Sequence, residues 1–408
     1  MDPATLYTSP NALAPHYARF AVSERLLLTG HSHQAWPDRG FEAQTAAWLD
    51  AARYVDDKWD RAFEQADRVR EGFTRLLGDA GDGIALAPNT HELVVRLLSA
   101  MPLRTRPRLV TTSGEFHTIR RQLDRLEEDG IEVVRVAETP LETLAARLSA
   151  VVDDRTSLAL VSAVFFDTGR IARGLGDVAA SCRRHGAEML VDAYHALNVV
   201  PVSLAADGLA GTFVVGGGYK YCELGEGNCF LRIPADTELR PVVTGWYSEF
   251  TALEDRERPD RVVYGRAGDR FAGATYDPTS HYRAAAVFDF FREQGLTAAL
   301  LREVSQHQIG VLTTEFDALD LDPAVVSRDR DAPMSEIGGF LALRSPAAIS
   351  LTKRLRSRNV WTDARGDVLR LGPAPYLSDR QLRDAIAILG EVVREGPAYR
   401  AGATADPV

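Results

Sequence analysis

Cysteine is scarce in this chain: Cys182, Cys222 and Cys229 are the whole supply in 408 residues. Three thiols so unevenly placed suit neither a disulfide framework nor a zinc site, and they fit a reducing cytoplasm. No apolar run approaches the roughly 18 residues that a membrane helix needs, so no membrane partner is expected. The opening Met1-Asp-Pro-Ala-Thr-Leu lacks a basic stretch followed by an apolar one and does not read as a signal peptide. Positive charge is in deficit. The formal net charge of −10 argues against a nucleic-acid partner, because such binding is driven by phosphate neutralisation. Internal repeats and low-complexity blocks are also missing. What remains is an ordinary globular composition, 45% hydrophobic and 25% charged, long enough for one large α/β domain and a smaller one.

Hydrophobic patterning gives the organisation. Residues 1–40 are irregular, with Pro3, Pro10, Pro15 and Pro37, and end the apolar run Leu26-Leu-Leu28 in the polar Thr29-Gly-His-Ser-His33. His31 and His33 would share a face if that stretch were extended, but no third metal ligand lies nearby, and no metal is expected. From Phe41 to Leu77 the pattern reads as helix. Strand-like runs at 84–87, 108–112, 132–136 and 157–161 then alternate with helical text through residue 185, which indicates βαβ units and a mostly parallel sheet. Residues 234–280 form a long, Pro- and Gly-rich loop region, a kind of segment that is commonly functional or interfacial. Helical text resumes from His281 to Ala318, and the rest reads as a small α+β unit. The expected division is an N-terminal segment (1–40), a large domain (41–318), a small C-terminal domain (319–400) and a disordered tail (401–408).

Ligands of parallel sheets collect at the carboxyl ends of the strands. One such end should be Asp192-Ala-Tyr-His195, after the run Glu188–Val191. The next is Gly216-Gly-Gly-Tyr-Lys220, after Thr212–Val215. The glycines do not make a nucleotide loop, since Tyr219 precedes Lys220 and Tyr221 follows it, where a P-loop needs Gly-Lys-Ser/Thr. A carboxylate, an imidazole and a lysine at neighbouring strand ends are instead what a pyridoxal phosphate (PLP) site requires. The lysine forms the Schiff base and the acid keeps the pyridine nitrogen protonated. Asn89-Thr90, ahead of a helix through Leu93 and Leu97, reads either as an N-cap or as a phosphate-binding helix start.

At these residues the chain resembles the kynureninase branch of the class-V-aminotransferase-like PLP enzymes of fold type I, over nearly its whole length. The resemblance implies an α/β fold with a mostly parallel sheet flanked by helices and a smaller α+β C-terminal domain. It places Asn89 and Thr90 at the phosphate, Phe116 on the cofactor ring, Asp192 at the ring nitrogen with His195 nearby, and Tyr219 on the phosphate beside the Schiff-base Lys220. Gly30-His31-Ser32 stands at the substrate end, and Arg370 would grip the α-carboxylate. Trp246 and Thr275 match positions that reach the active site of a neighbouring subunit, which implies a homodimer with its site at the interface. Three departures stand out: Ile119 where the pattern has an acid, Asp167 where it has an arginine, and His31 where it has an asparagine.

The implied activity is hydrolysis of the Cβ–Cγ bond of kynurenine or a similar small amino acid, with Lys220, Tyr219 and Asp192 as the catalytic group. A Cβ lyase, a desulfurase or an aminotransferase on the same cofactor are the alternatives, followed by a non-catalytic binding protein. A desulfurase would need a mobile nucleophilic cysteine, and Cys222 sits on the same turn as Lys220.

Overall fold

The computed structural model describes residues 1–252 and 261–396. The expected tail at 401–408 and part of the long loop region lie outside them. In chain order the strands are β1 (Leu26–Leu27), β2 (Ile84–Ala87), β3 (Arg108–Thr112), β4 (Glu132–Val136), β5 (Thr156–Ser162), β6 (Glu188–Asp192), β7 (Phe213–Gly217), β8 (Cys229–Arg232), β9 (Ser327–Arg328), β10 (Leu341–Arg344), β11 (Val360–Trp361), β12 (Asp363–Arg365) and β13 (Val368–Leu371).

Seven of them form the main sheet in the order β2-β8-β7-β6-β5-β3-β4. β3 to β7 pair in parallel, and β8 runs antiparallel to both its neighbours. The central strands are apolar throughout because helices cover both faces of the sheet. Successive residues of β6 show it. Met189 and Val191 join one core with Phe73 and Leu175, while Leu190 joins the other with Leu97 and Leu123. This sandwiching leaves only the strand ends open, and Asp192 is the last residue of β6.

A four-stranded antiparallel sheet, β12-β13-β10-β9, carries the C-terminal unit with the helices Ala348–Ser357 and Asp379–Arg394. The second helix opens with a capping box of Ser378 and Gln381. The N-terminal segment is zipped onto this unit. β1 pairs in parallel with β11, Gly30 N–H donates to Gly372 O (2.8 Å), and Gly372 N–H donates to Leu28 O (2.9 Å).

Two helical expectations need correction. The stretch 41–77 is two helices, Asp38–Tyr54 and Lys58–Leu76, parted at Val55, which adopts φ +51°. The stretch 281–318 is also two, Thr279–Gln294 and Ala298–Ala318, parted at Gly295 with φ +69°. Gly295 takes the left-handed backbone at little cost, whereas Val55 takes it against its branched side chain. Among the described residues no helix is long and apolar enough to cross a membrane.

Candidate active site

The β6 and β7 ends bring the acid, the imidazole and the lysine together. Tyr194 N–H donates to Asp192 Oδ1 (2.9 Å), and this turn sets His195 against Lys220, whose Nζ lies 2.6 Å from His195 Nε2. The backbone must pass close to these side chains at the end of β7. A Cβ on Gly217 would collide with the Tyr194 hydroxyl and the Cys229 thiol. Lys220 is buried (5% exposed), and burial pulls its amine down to about 7, with Asp192 opposing the shift. Burial holds Asp192 above the usual carboxylate range, and burial together with Lys220 holds His195 well below the usual imidazole range. His195 is therefore neutral at pH 7. A neutral ring accepting at Nε2 carries its proton on Nδ1, and that atom is buried without a partner among the described residues.

Aromatic rings enclose the amine. Lys220 Nζ lies 4.9 Å from the ring centre of Tyr194, 5.5 Å from Phe116 and 5.6 Å from Tyr219. The helix start at Thr90 adjoins the same cluster, since its backbone N–H faces Cys229, whose Sγ is 3.6 Å from the Tyr194 hydroxyl. Asn89 is the N-cap, accepting from Glu92 N–H (2.9 Å), so its side chain is occupied by the helix.

A second group stands on the small sheet. β12 and β13 place Asp363 directly across from Arg370. Arg370 Nε donates to Asp363 Oδ1 (2.9 Å), its Nη2 donates to Oδ2, and its Nη1 donates to Phe166 O (2.5 Å). His31, fully buried, donates from Nε2 to the same Asp363 Oδ1 (2.6 Å). Burial lowers His31 to about 4, and burial notwithstanding, His31 and Arg370 together hold the Asp363 carboxyl far below its usual range. Ser32 is buried in a turn closed by its N–H on Thr29 O (2.8 Å), while His33 points out to solvent. Phe340 joins the two groups, with ring centres 4.8 Å from His31 and 6.0 Å from His195.

Trp246 and Thr275 lie elsewhere. Trp246 Nε1 donates to Thr275 Oγ1 (3.3 Å) on an exposed face, where the Trp246 ring packs against Tyr247 and Phe250. The departures resolve as follows. Ile119 is core, and Asp167 lines a cavity of about 170 Å³ with Glu138 and Phe340. Sequence reasoning missed Asp363, Phe340 and the buried Glu115. Asp363 had a signal in the Arg365-Gly366-Asp367 turn, which fixes its pairing with Arg370.

No protein-family model matches the chain. It is 28% identical over 329 residues to a kynureninase of Xanthomonas campestris pv. campestris, covering 75% of each chain. An uncharacterized aminotransferase of Bacillus subtilis, YcbU, is 22% identical over 343 residues, 83% of this chain and 87% of that one. Among solved structures, C-DES with glycine covalently linked to its PLP cofactor superposes with a TM-score of 0.80 at 16% identity, over 92% of this chain and 98% of that one. The chain has the architecture of PLP fold type I and is similar in sequence to kynureninases. The Escherichia coli cysteine desulfurase CsdA also shares the fold, with a TM-score of 0.76 at 14% identity, over 97% and 99% of the chains.

The lysine turn is anchored from the N-terminal segment. Glu223 is fully buried and its carboxyl is bonded to the Tyr17 hydroxyl, with burial raising it to about 8. In the folded protein it stays protonated to about pH 8, whereas in the unfolded chain it ionises near 4.3. Stability should therefore fall as pH rises from about 4 to 8 and level off above that. Glu223→Gln removes this dependence. Between pH 5 and pH 9 its melting temperature should shift relative to wild type, in the variant's favour, by about 2–4 °C or more. A constant difference in thermal-melt series would contradict a buried neutral Glu223.

Proposed function

We propose that the chain is a PLP-dependent hydrolase that cleaves the Cβ–Cγ bond of kynurenine or a kynurenine-like amino acid, releasing alanine and an aryl acid. The observation that carries the reading is the buried Lys220 amine set against a neutral His195 at the end of the strand that follows Asp192. The kynureninase relatives supply the direction of the chemistry.

The cofactor is pyridoxal phosphate, and the residues present fit it. Among the described residues the His195 Nδ1–H lacks an acceptor oxygen and the Asp192 carboxylate lacks a cation other than Lys220, and the Phe116 face stands within reach of the amine. Thr90 and Tyr219 would hold the phosphate, Phe116 the ring face and Asp192 the ring nitrogen. When bound, PLP supplies the conjugated electron sink that makes the substrate α-proton acidic.

The chain's own side chains do the rest. Lys220, poised near neutrality by burial, can give up its proton to become a nucleophile and then serve as base for the α-proton. His195 accepts its hydrogen bond and keeps the amine aimed. Tyr219, pushed up to about 12, remains a neutral phenol able to donate a proton. Asp363 fixes the Arg370 fork and leaves two of its five N–H donors for the substrate α-carboxylate. His31 and Ser32 would border the side-chain end. Trp246 and Thr275, exposed on their own subunit, would complete the site of a second copy in a homodimer.

A desulfurase is disfavoured by the cysteines. All three are buried, and burial raises each thiol above its usual range, so none is a ready thiolate nucleophile. The assay that separates hydrolase from aminotransferase is product analysis. PLP-loaded protein given kynurenine or 3-hydroxykynurenine should release alanine and the aryl acid without any keto-acid acceptor. Turnover that starts only on adding a keto acid would favour the aminotransferase, and no alanine from either compound would remove the kynurenine assignment.

A further inference from the structure

One buried acid has no part in the chemistry above. Glu115 follows β3 and immediately precedes the ring-facing Phe116, and it is only 3% exposed. Its Oε1 accepts from Thr112 Oγ1 (2.6 Å) and from Ser162 N–H (3.2 Å), and its Oε2 accepts from Ser162 Oγ (2.6 Å). Ser162 closes β5 and is the register partner of Asp192 on β6. The two carboxyls are thus set on either side of one serine, at the point where the strand ends would meet a pyridine nitrogen.

No arginine, lysine or histidine pairs with Glu115 among the described residues. The titratable groups around it are Asp192 across Ser162, Lys220 and His195 beyond that, and Glu138, which lies over Gly114 on the other side. Three donors aimed at one buried carboxyl favour its ionised form, while burial and the neighbouring Asp192 favour the neutral one. Two buried carboxyls served by a single amine behave as a coupled pair. A cation brought up to Asp192 tips the balance towards a second negative charge, and a protonated ring nitrogen is such a cation.

We propose that Glu115 is a positioning residue for the cofactor ring: it ionises when the protonated pyridine nitrogen docks on Asp192, and its charge strengthens that contact. The proposal rests on the PLP reading and adds to it a second carboxylate that touches no reacting atom. The linkage has a definite sign. Burial raises Glu115 to about 7 in the site without ligand, and a cation on Asp192 lowers it, so around neutrality docking draws a proton off Glu115, whereas well below neutrality the group is neutral in both states. Above neutrality the wild-type site carries one more negative charge than a Glu115→Gln site.

The probe is pyridoxamine 5′-phosphate binding to full-length protein freed of cofactor. It has the same ring nitrogen as PLP but cannot react with Lys220. The Kd of Glu115→Gln divided by that of wild type should be near 1 at pH 6 and rise to about 10 at pH 8, with Glu115→Asp restoring most of the loss. A 1-deaza analogue, lacking the ring nitrogen, should show no such rise. Should Glu115→Gln fold poorly, Ser162→Ala serves instead. Removing a donor keeps Glu115 neutral to higher pH and should delay the gain in affinity correspondingly. A Kd ratio that is flat from pH 6 to 8, or an equal rise with the deaza analogue, overturns the proposal while leaving the PLP site standing. Failure of wild type to bind pyridoxamine phosphate or PLP overturns both.

Discussion

Lys220→Ala is expected to abolish the visible absorbance of the PLP-loaded protein and to lower turnover by about 10²–10⁴-fold or more. The size follows from the double duty proposed for one amine, to hold the cofactor and to move the α-proton. Lys220 is the buried amine at these strand ends, with His195 Nε2 2.6 Å away and rings on several sides. Alanine leaves this apolar pocket without a base, and nothing nearby replaces it, because His195 is held neutral and well below its usual range. Spectra of wild type and variant after incubation with PLP, with turnover measured in parallel, check the result. A variant that kept the chromophore would move the site elsewhere.

Asp363→Ala should be the most damaging substitution for stability, by about 3–5 kcal/mol, the usual cost of removing one partner from a buried ion pair. Arg370 is 2% exposed and has two donors on that carboxylate, and buried His31 has another. Alanine leaves the guanidinium with Phe166 O alone. The effect carries a pH signature. The carboxyl of Asp363 is depressed in the folded protein, so its contribution is present above the unfolded value near 3.9 and is lost as pH falls towards the folded value. The gap between wild type and variant in denaturant unfolding should therefore be full at pH 7 and close below about pH 4. Substrate affinity should weaken as well, because the Arg370 fork proposed to grip the α-carboxylate loses its fixed orientation. A variant as stable as wild type would show that Asp363 and Arg370 are paired only incidentally.

The parts of the fold that were legible in the chain are those set by local patterning. β2, β3, β4 and β5 are short runs bounded by turn residues, and each emerges where those runs stand. The lysine turn was legible because glycine is needed where Tyr194 and Cys229 crowd the backbone. The break at Val55 was hidden, since neither proline nor glycine marks it. Gly295 did mark its break, but the helical text on either side masked it. Long-range geometry was the harder part. Glu115 reads as an ordinary loop acid until the order β6-β5-β3 puts it beside Ser162 and so beside Asp192. Asp363 looks like a surface residue until the β12–β13 register sets it against Arg370. His31 gained its place only because residues 26–30 are zipped to the C-terminal unit, a pairing more than 300 residues apart in sequence.

Lysine is unusually rare here, with Lys58, Lys220 and Lys353 the only three in the chain. That makes the covalent attachment point directly readable. PLP-loaded protein treated with borohydride, digested and mapped by mass spectrometry should carry the cofactor on the peptide containing Lys220, with Lys58 and exposed Lys353 unmodified. Cofactor fixed to either of those two, or to no lysine at all, would contradict the site described.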